Sequence, residues 1–367
     1  MQICELTDSQ CERWDAYVRT SPQALPQHLS GWRKVMKQSY GYETRYLLAT
    51  EAASLQEAQP EHIVGVLPLF FVRSPLTGQT AMTMPGGLCA DHEDIAIALL
   101  DKAQTIAAEM GMQRLVVQDA RQPWPCTESS ILAQTNVTTE QRHVAWLLEL
   151  HGAVEEVEQR LDRNIRRQIR MAQRNDLQVE IAADSALLEP FYDLWCRFTR
   201  QMGTPVFGRQ FLQSIIETFP NDFNIALVRH QQQVIGGYFQ LQVGKTMLGV
   251  WGGALHEFLA LRPVYLAYGN LLRYAVEQGF QRLDMGRSPL DSPASDFKKQ
   301  WGGKAVPIYQ HRVNLQQPPH LPLGQTHQTF HPHPSTAQRY FTQLWRNLPL
   351  PFTQFVGPIL RRHIPFG

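Results

Sequence analysis

Leu99-Leu100, Ala103 and Gly111-Met112-Gln113-Arg114-Leu115 return later in the chain as Leu271-Leu272, Ala275 and Gly279-Phe280-Gln281-Arg282-Leu283. Each copy reads as the end of a helix, a glycine that stops it and the start of an apolar strand. A second pair, Val64-Gly65-Val66-Leu67-Pro68-Leu69 and Ile235-Gly236-Gly237-Tyr238-Phe239-Gln240, reads as one strand written twice. Gly111 to Gly279 is an offset of 168, and Val64 to Ile235 is 171. Helix, glycine and strand follow one another in many α/β proteins, so either match alone has an ordinary explanation. Near-constant offset with the same element order points to one α/β unit duplicated in tandem.

Working outward, the first half alternates helix and strand. Asp8 or Ser9 caps a helix carrying Trp14, Tyr17 and Val18, and a second helix carries Trp32, Val35 and Met36. Strands follow at 44–49, 62–71 and 80–84, then a helix at 93–110 and a strand at 113–118. The polar stretch 121–139, with two prolines, reads as a loop before a strand at 143–150. The second half repeats this grammar: a helix at 154–174, a strand at 177–181 and helices at 187–200 and 209–218. Strands at 224–229, 233–242 and 246–251, a helix at 266–278 and strands at 282–285 and 306–313 complete it. The expected domains are 1–150, 151–315 and a C-terminal segment 316–367. In that segment 316–334 is a Pro/His/Gln-rich linker, 335–348 a helix, and 350–365 an apolar, proline-punctuated tail ending near Arg361-Arg362-His363. Residues 335–367 suit either peripheral contact with an anionic membrane surface or packing back on the body.

The balance of charge narrows the partners. Lys and Arg number 34 against 33 Asp and Glu, so no global field points to DNA, and any anionic partner needs a local basic patch. The 5 cysteines are scattered without a C-x-x-C pair, which fits a reducing compartment and argues against disulfides or a zinc knuckle. The sequence shows no secretory signal and no spanning apolar run, so the expected location is the cytoplasm, including the inner face of the membrane. No metal site emerges among the 13 histidines. A G-x-S-x-G elbow, an H-E-x-x-H pair and a P-loop are all missing as well.

Two segments carry chemistry. From Arg160 to Arg174, Val157, Leu161, Ile165, Ile169 and Ala172 form a stripe to bury. Arg163, Arg166, Arg167, Arg170 and Arg174 fall on the adjacent face. A row of guanidinium groups grips a diphosphate or a nucleic-acid backbone; the plain alternative is a solvated face paired with Glu155, Glu156 and Glu158. The second segment is Asp284-Met285-Gly286-Arg287-Ser288 followed by Asp296-Phe297-Lys298-Lys299-Gln300-Trp301-Gly302. It puts polar side chains just past the end of a strand, where α/β folds build sites, and Lys298 there suits a phosphate or a developing oxyanion. Taken alone it is a decorated loop. Trp251-Gly252-Gly253 and Trp301-Gly302-Gly303 mark close backbone approach, to a ligand or to another element.

Several motifs in order resemble the FemAB-related family, nearest to the group associated with PEP-CTERM and exopolysaccharide systems. They are Pro26-Gln27-His28 with Gly31-Trp32-Arg33-Lys34, the strand Val64–Leu69, the arginine helix, Met202-Gly203-Thr204-Pro205-Val206, Gly286-Arg287-Ser288, and Phe297-Lys298 with Trp301-Gly302. The resemblance covers roughly residues 1–315. It implies α/β (α+β) architecture with two tandem GNAT-like domains, each a mixed, largely antiparallel sheet flanked by helices. It also implies transfer of an amino acid from aminoacyl-tRNA to an amine of a peptidoglycan- or exopolysaccharide-type precursor. Lys34, beside Trp32, matches the precursor's phosphate contact, with Arg163 or Arg167 as its partner. Lys298 matches the lysine near the transfer site, and Arg287-Ser288 belongs to the same block. Trp251 joins the expected substrate contacts, while Asp119, Asp284 and Asp296 are candidate bases.

The departures weaken parts of this. No inserted coiled-coil arm is present, so tRNA handling is unsecured. Leu261-Arg262-Pro263-Val264-Tyr265-Leu266-Ala267-Tyr268-Gly269 lacks the glycine-rich loop that holds the CoA pyrophosphate, which weakens acyl-CoA as donor. No tightly bound cofactor is expected, and the donor stays open between aminoacyl-tRNA and acyl-CoA or an acyl carrier protein. A non-catalytic module that binds an anionic saccharide or lipid-linked precursor is the reading from another class.

Overall fold

Two parallel strand pairs organise the protein: Thr80–Met82 lies beside Arg114–Val116, and Thr246–Leu248 lies beside Arg282–Asp284. The computed structural model describes residues 1–51, 62–121, 137–316 and 336–364. The chain divides into two units. The first holds Met1–His143 and takes the chain back at Pro307; the second holds Val144–Val306 and the C-terminal helices as far as Arg362.

In the first unit β1 (Gln2–Glu5) leads to helices α1 (Cys11–Thr20) and α2 (Trp32–Tyr40). Then come β2 (Glu43–Glu51), β3 (His62–Ser74), β4 (Gly78–Thr83), the short β5 (Cys89–Ala90), α3 (Glu93–Glu109) and β6 (Arg114–Ala120). The sheet order is β1-β2-β3-β4-β6, with β5 on β3. Only the β4–β6 pair in this row is parallel, because α3 carries the chain back between them. Ile95, Leu99, Ala103 and Ala107 of α3 are buried against Leu47, Leu67, Leu69 and Leu115 of the strands.

The chain leaves this unit along β7 (Val137–Glu149) and enters α4 (Val154–Arg160), α5 (Arg163–Gln173), β8 (Leu177–Ala182), α6 (Leu188–Met202) and α7 (Arg209–Thr218). It continues through β9 (Phe223–His230), β10 (Gln233–Val243), β11 (Thr246–Ala254), α8 (Pro263–Glu277), β12 (Arg282–Pro289), α9 (Pro293–Lys299) and β13 (Lys304–Asn314). The second row, β8-β9-β10-β11-β12, repeats the first element for element, with α8 in the place of α3. Gln113 N donates to Gln79 O and Gln281 N to Lys245 O, each at 2.9 Å, so the repeat extends to the hydrogen bond that opens each parallel pair.

The division is not sequential. β13 follows the second repeat in the chain, yet it pairs antiparallel with β6 through Tyr309–Asn314 and belongs to the first unit from Pro307 onward. β7 precedes the second repeat and lies beside β12. Each row is therefore finished by a strand that a cut at 150/151 and 315/316 does not assign to it.

Three expected elements differ in detail. The helix expected at 154–174 is two helices. Leu161 turns extended, and the Asp162 carboxylate accepts from Asn164 N at 2.7 Å, capping α5 afresh. The strand expected at 143–150 already begins at Val137, while 122–136 lies outside the described residues. The proline-punctuated 350–365 contains a helix, α11 (Leu350–Arg361), after α10 (Thr336–Asn347); Pro351 sits in its first turn, where no N–H is missed, and Pro358 inside it. The linker expected at 316–334, except Gln316, falls outside the described residues.

Candidate functional site

The parallel pairing of β11 with β12 runs from Thr246↔Arg282 to Leu248↔Asp284, although both strands continue well past it. The cause is local. Gly286 has φ +75° and passes so close to Gly249 that a Cβ on it would lie 2.1 Å from the Gly249 carbonyl oxygen. Only glycine fits there. On its other edge β11 bulges against β10: Phe239 faces Trp251 and Gln240 faces Gly249, leaving Val250 as the extra residue. A bulge leaves its extra residue's backbone groups outside the ladder. The two strands thus part at a glycine, with a bulge beside the opening.

Lys298 lies under this opening. α9 begins at Ser292, whose hydroxyl accepts from Ser295 N, and turns Lys298 inward. Its buried Nζ donates to the carbonyls of Gly286 at 3.0 Å and Arg287 at 3.2 Å. Asp284 is buried beside it, and its Oδ1 accepts from Gly286 N at 2.8 Å. Burial pulls the Lys298 ammonium down to about 8; the Asp284 charge opposes this and the Arg287 charge adds to it. Arg287 is exposed and Ser288 buried. The Ser288 hydroxyl has no hydrogen-bond partner among the described residues.

α8 supplies the aromatic wall. Tyr268 packs on Tyr238 at 5.3 Å and on Trp301 at 5.7 Å between ring centroids, and Phe297 packs on both Tyr265 and Tyr268. Burial, and then Asp284, push the Tyr268 phenol above its ordinary range. Tyr238 hydroxyl and Trp301 Nε1 are buried without partners among the described residues. Such atoms cost free energy unless something pairs with them. Trp251, half-buried, packs into Phe207, Phe211 and Phe239. The glycines after it are crowded by Tyr238 and Phe198, so they serve close packing of the unit's own elements.

The same helix α8 forms one wall of a basic groove against α5. Leu161, Arg166, Ile169, Arg170, Asn270 and Arg273 are among the residues around a cavity of about 320 Å³. Ile165 and Ala172 are buried, and Ile169 rests on Gly269. Glu158 is committed to Arg273 at 2.7 Å, and α4 holds the other expected acids on a separate helix. Among the described residues no carboxylate reaches Arg163, Arg166, Arg167, Arg170 or Arg174. The groove takes Arg166 and Arg170; Arg163 and Arg167 stay exposed outside its lining.

The remaining expected residues, apart from Asp296, belong to the first unit. Lys34 is exposed on α2. Trp32, expected as a substrate contact, is 1% exposed and its Nε1 donates to Pro26 O at 2.9 Å. It is a core residue that fixes α2, with no surface to offer a ligand. Asp119, half-buried, lies one residue before the end of β6, in the left-handed region at φ 48°. Asp296 is exposed in the first turn of α9. Little in the sequence marks the bulge at Val250 or the Tyr238–Tyr268 pair, because apolar and aromatic residues there look like ordinary core. The one legible trace was the run of glycines at 249, 252 and 253.

Comparison with known proteins fits this geometry. Residues 159–299 match the acetyltransferase (GNAT) domain family. No protein of curated function matches the sequence. The structure of FemX is similar at 16% identity with TM-score 0.66, covering 86% of this chain and 98% of that one. A tandem GNAT protein from the clavulanic acid biosynthesis pathway is similar at 11% identity and TM-score 0.51, covering 84% and 97%. The C-terminal DUF2156 domain of a putative lysylphosphatidylglycerol synthetase from Agrobacterium fabrum follows at 10%, TM-score 0.54, with coverage of 83% and 92%. The fold is therefore GNAT-type and built in tandem, and the chain carries an acyltransferase domain in its second unit.

Proposed function

We propose that the protein transfers an aminoacyl group from tRNA to an amine of an anionic cell-envelope precursor, at the opening between β11 and β12. The observation that carries this is the buried Lys298 against the Gly286 and Arg287 carbonyls where the parallel pair parts. The acceptor amine attacks the ester carbonyl carbon, a C–N bond forms, and the C–O bond to the ribose breaks. The amine gives up a proton and the ribose oxygen takes one. An aminoacyl ester is already activated, so the protein needs to hold two substrates and stabilise one oxyanion. The Val250 backbone N–H and the field of the Lys298 ammonium suit the oxyanion. Asp284 is the base, or the substrates relay the proton themselves.

The α5–α8 groove suits the precursor's diphosphate, with Arg166 and Arg170 as its grip and Arg163, Arg167, Arg287 and Ser288 as further contacts. The motifs shared with the FemAB-related family and the fold likeness to FemX support this donor and acceptor. The resemblance to the PEP-CTERM-associated group adds exopolysaccharide precursors to the acceptor class. A cytoplasmic location follows from the proposed donor. Acyl-CoA is disfavoured by the start of α8, where Arg262 is left-handed and Pro263 occupies the first turn without an N–H for a pyrophosphate.

Single-turnover transfer tests the reading, with labelled aminoacyl-tRNA and acetyl-CoA offered in parallel to a pool of envelope precursors. Product from aminoacyl-tRNA, falling roughly 10²- to 10³-fold in Lys298→Ala, is the expected result. Product from acetyl-CoA instead moves the protein to the acetyltransferases. Precursor binding without turnover from either donor favours the binding-module reading.

A further inference from the structure

α10 and α11 are amphipathic in the usual sense on one side only. Their inner side packs on α6 and the turn after it. Trp345, Thr353 and Gly357 are buried, Arg200 donates to Leu348 O at 2.9 Å, and Arg361 donates to Pro205 O at 2.9 Å with its guanidinium 4.5 Å from the Phe207 ring centroid. The opposite side, which in a surface helix is polar, is apolar here. On α11 Phe352, Phe355 and Ile359 recur at helical spacing with 48%, 72% and 51% of their surface exposed. On α10 Tyr340 and Leu344 are 70% and 63% exposed, with Phe341 at 42% beside them. Most large apolar residues exposed anywhere among the described residues sit on these two helices.

Charge says what covers this face. No Asp or Glu follows Asp296 in the sequence, whereas the exposed Arg339, Arg346 and Arg362 flank the exposed rings. A second copy seated on this surface would set arginine against arginine across the contact. An anionic bilayer supplies acyl chains for the rings and phosphates for the arginines together. No helix among the described residues is long and apolar enough to cross a membrane, so the contact lies in the plane of the interface. We propose that α10 and α11 form a docking surface for anionic phospholipid, holding the second unit against a membrane. This rests on the helices alone and not on the transfer chemistry, which a water-soluble acceptor measures separately.

Vesicle flotation tests it with the full chain. The protein is mixed with vesicles of phosphatidylglycerol and phosphatidylcholine, or of phosphatidylcholine alone, at low and high salt. Expected are flotation with phosphatidylglycerol, loss at high salt, and a drop of roughly tenfold or more in partitioning for Phe352→Ser/Phe355→Ser. Arg339→Gln/Arg362→Gln is expected to lose the preference for the anionic lipid. These side chains are exposed, and circular dichroism checks that each variant stays folded. A wild-type protein that stays in the supernatant overturns the proposal, as does flotation indifferent to the phenylalanine change. So does sedimentation showing a wild-type dimer that the phenylalanine variant abolishes, since a second copy then covers the face.

Discussion

Two buried bases, Lys298 and His28, set stability signatures of the same sign in two separate pH windows. Lys298 is held near 8 in the folded protein against 10.5 for the ordinary side chain, so between these values the unfolded chain binds more protons. Stability therefore rises as pH climbs through that window, while any step that uses the ammonium slows. Thermal unfolding and single-turnover rate, measured from pH 7 to 10, are expected to move in opposite directions. Lys298→Met removes both slopes. His28 is buried with Nδ1 accepting from Leu25 N at 3.0 Å, and burial followed by the Arg121 charge brings it from 6.5 to about 4. It stays neutral in the fold and charges when unfolded, so stability is lost as pH falls from about 6.5 towards 4. Melting temperatures of His28→Gln across that range are expected to show a shallower slope, whatever their level.

At the scale of elements, the arginine helix and the parted strands each make a separable prediction. The capped restart at Asp162 separates the arginines from the acids of α4 and turns Arg166 and Arg170 towards α8. Arg166→Ala/Arg170→Ala is expected to weaken binding of a diphosphate-bearing precursor by roughly tenfold or more, read by calorimetry. Arg163→Ala/Arg167→Ala, outside the groove, is expected to weaken it less. Equal binding by both double variants and the wild type would make the helix a solvated face. Gly286→Ala places a methyl against the Gly249 carbonyl in a left-handed backbone and is expected to cost at least about 2 kcal/mol in chemical unfolding. Apolar spacing foretold the stripe Val157, Leu161, Ile165 and Ala172. It did not foretell the break at Leu161, because a one-residue turn leaves the spacing almost unchanged.

Across the molecule, duplication explains why so much was legible. Apart from the two-residue β5, the chain twice writes strand, two helices, three strands, helix and strand, and each copy folds by the same local rules. Helices and strands alike follow from periodicity, glycine stops and caps, all of which are local. Local patterning dictated the tandem α/β architecture, the order of elements and the residue types available for an anion and an oxyanion. Tertiary structure alone decided that β13 finishes the first row and β7 stands beside β12, since strand pairing joins residues far apart in the chain. It also decided that Trp32 is core, that Lys298 is buried on two carbonyls, and that Phe352 and Phe355 face outward. The physical reason is common to all of these. Periodicity says which face of an element is apolar, but burial and charge state depend on what distant segments bring against that face.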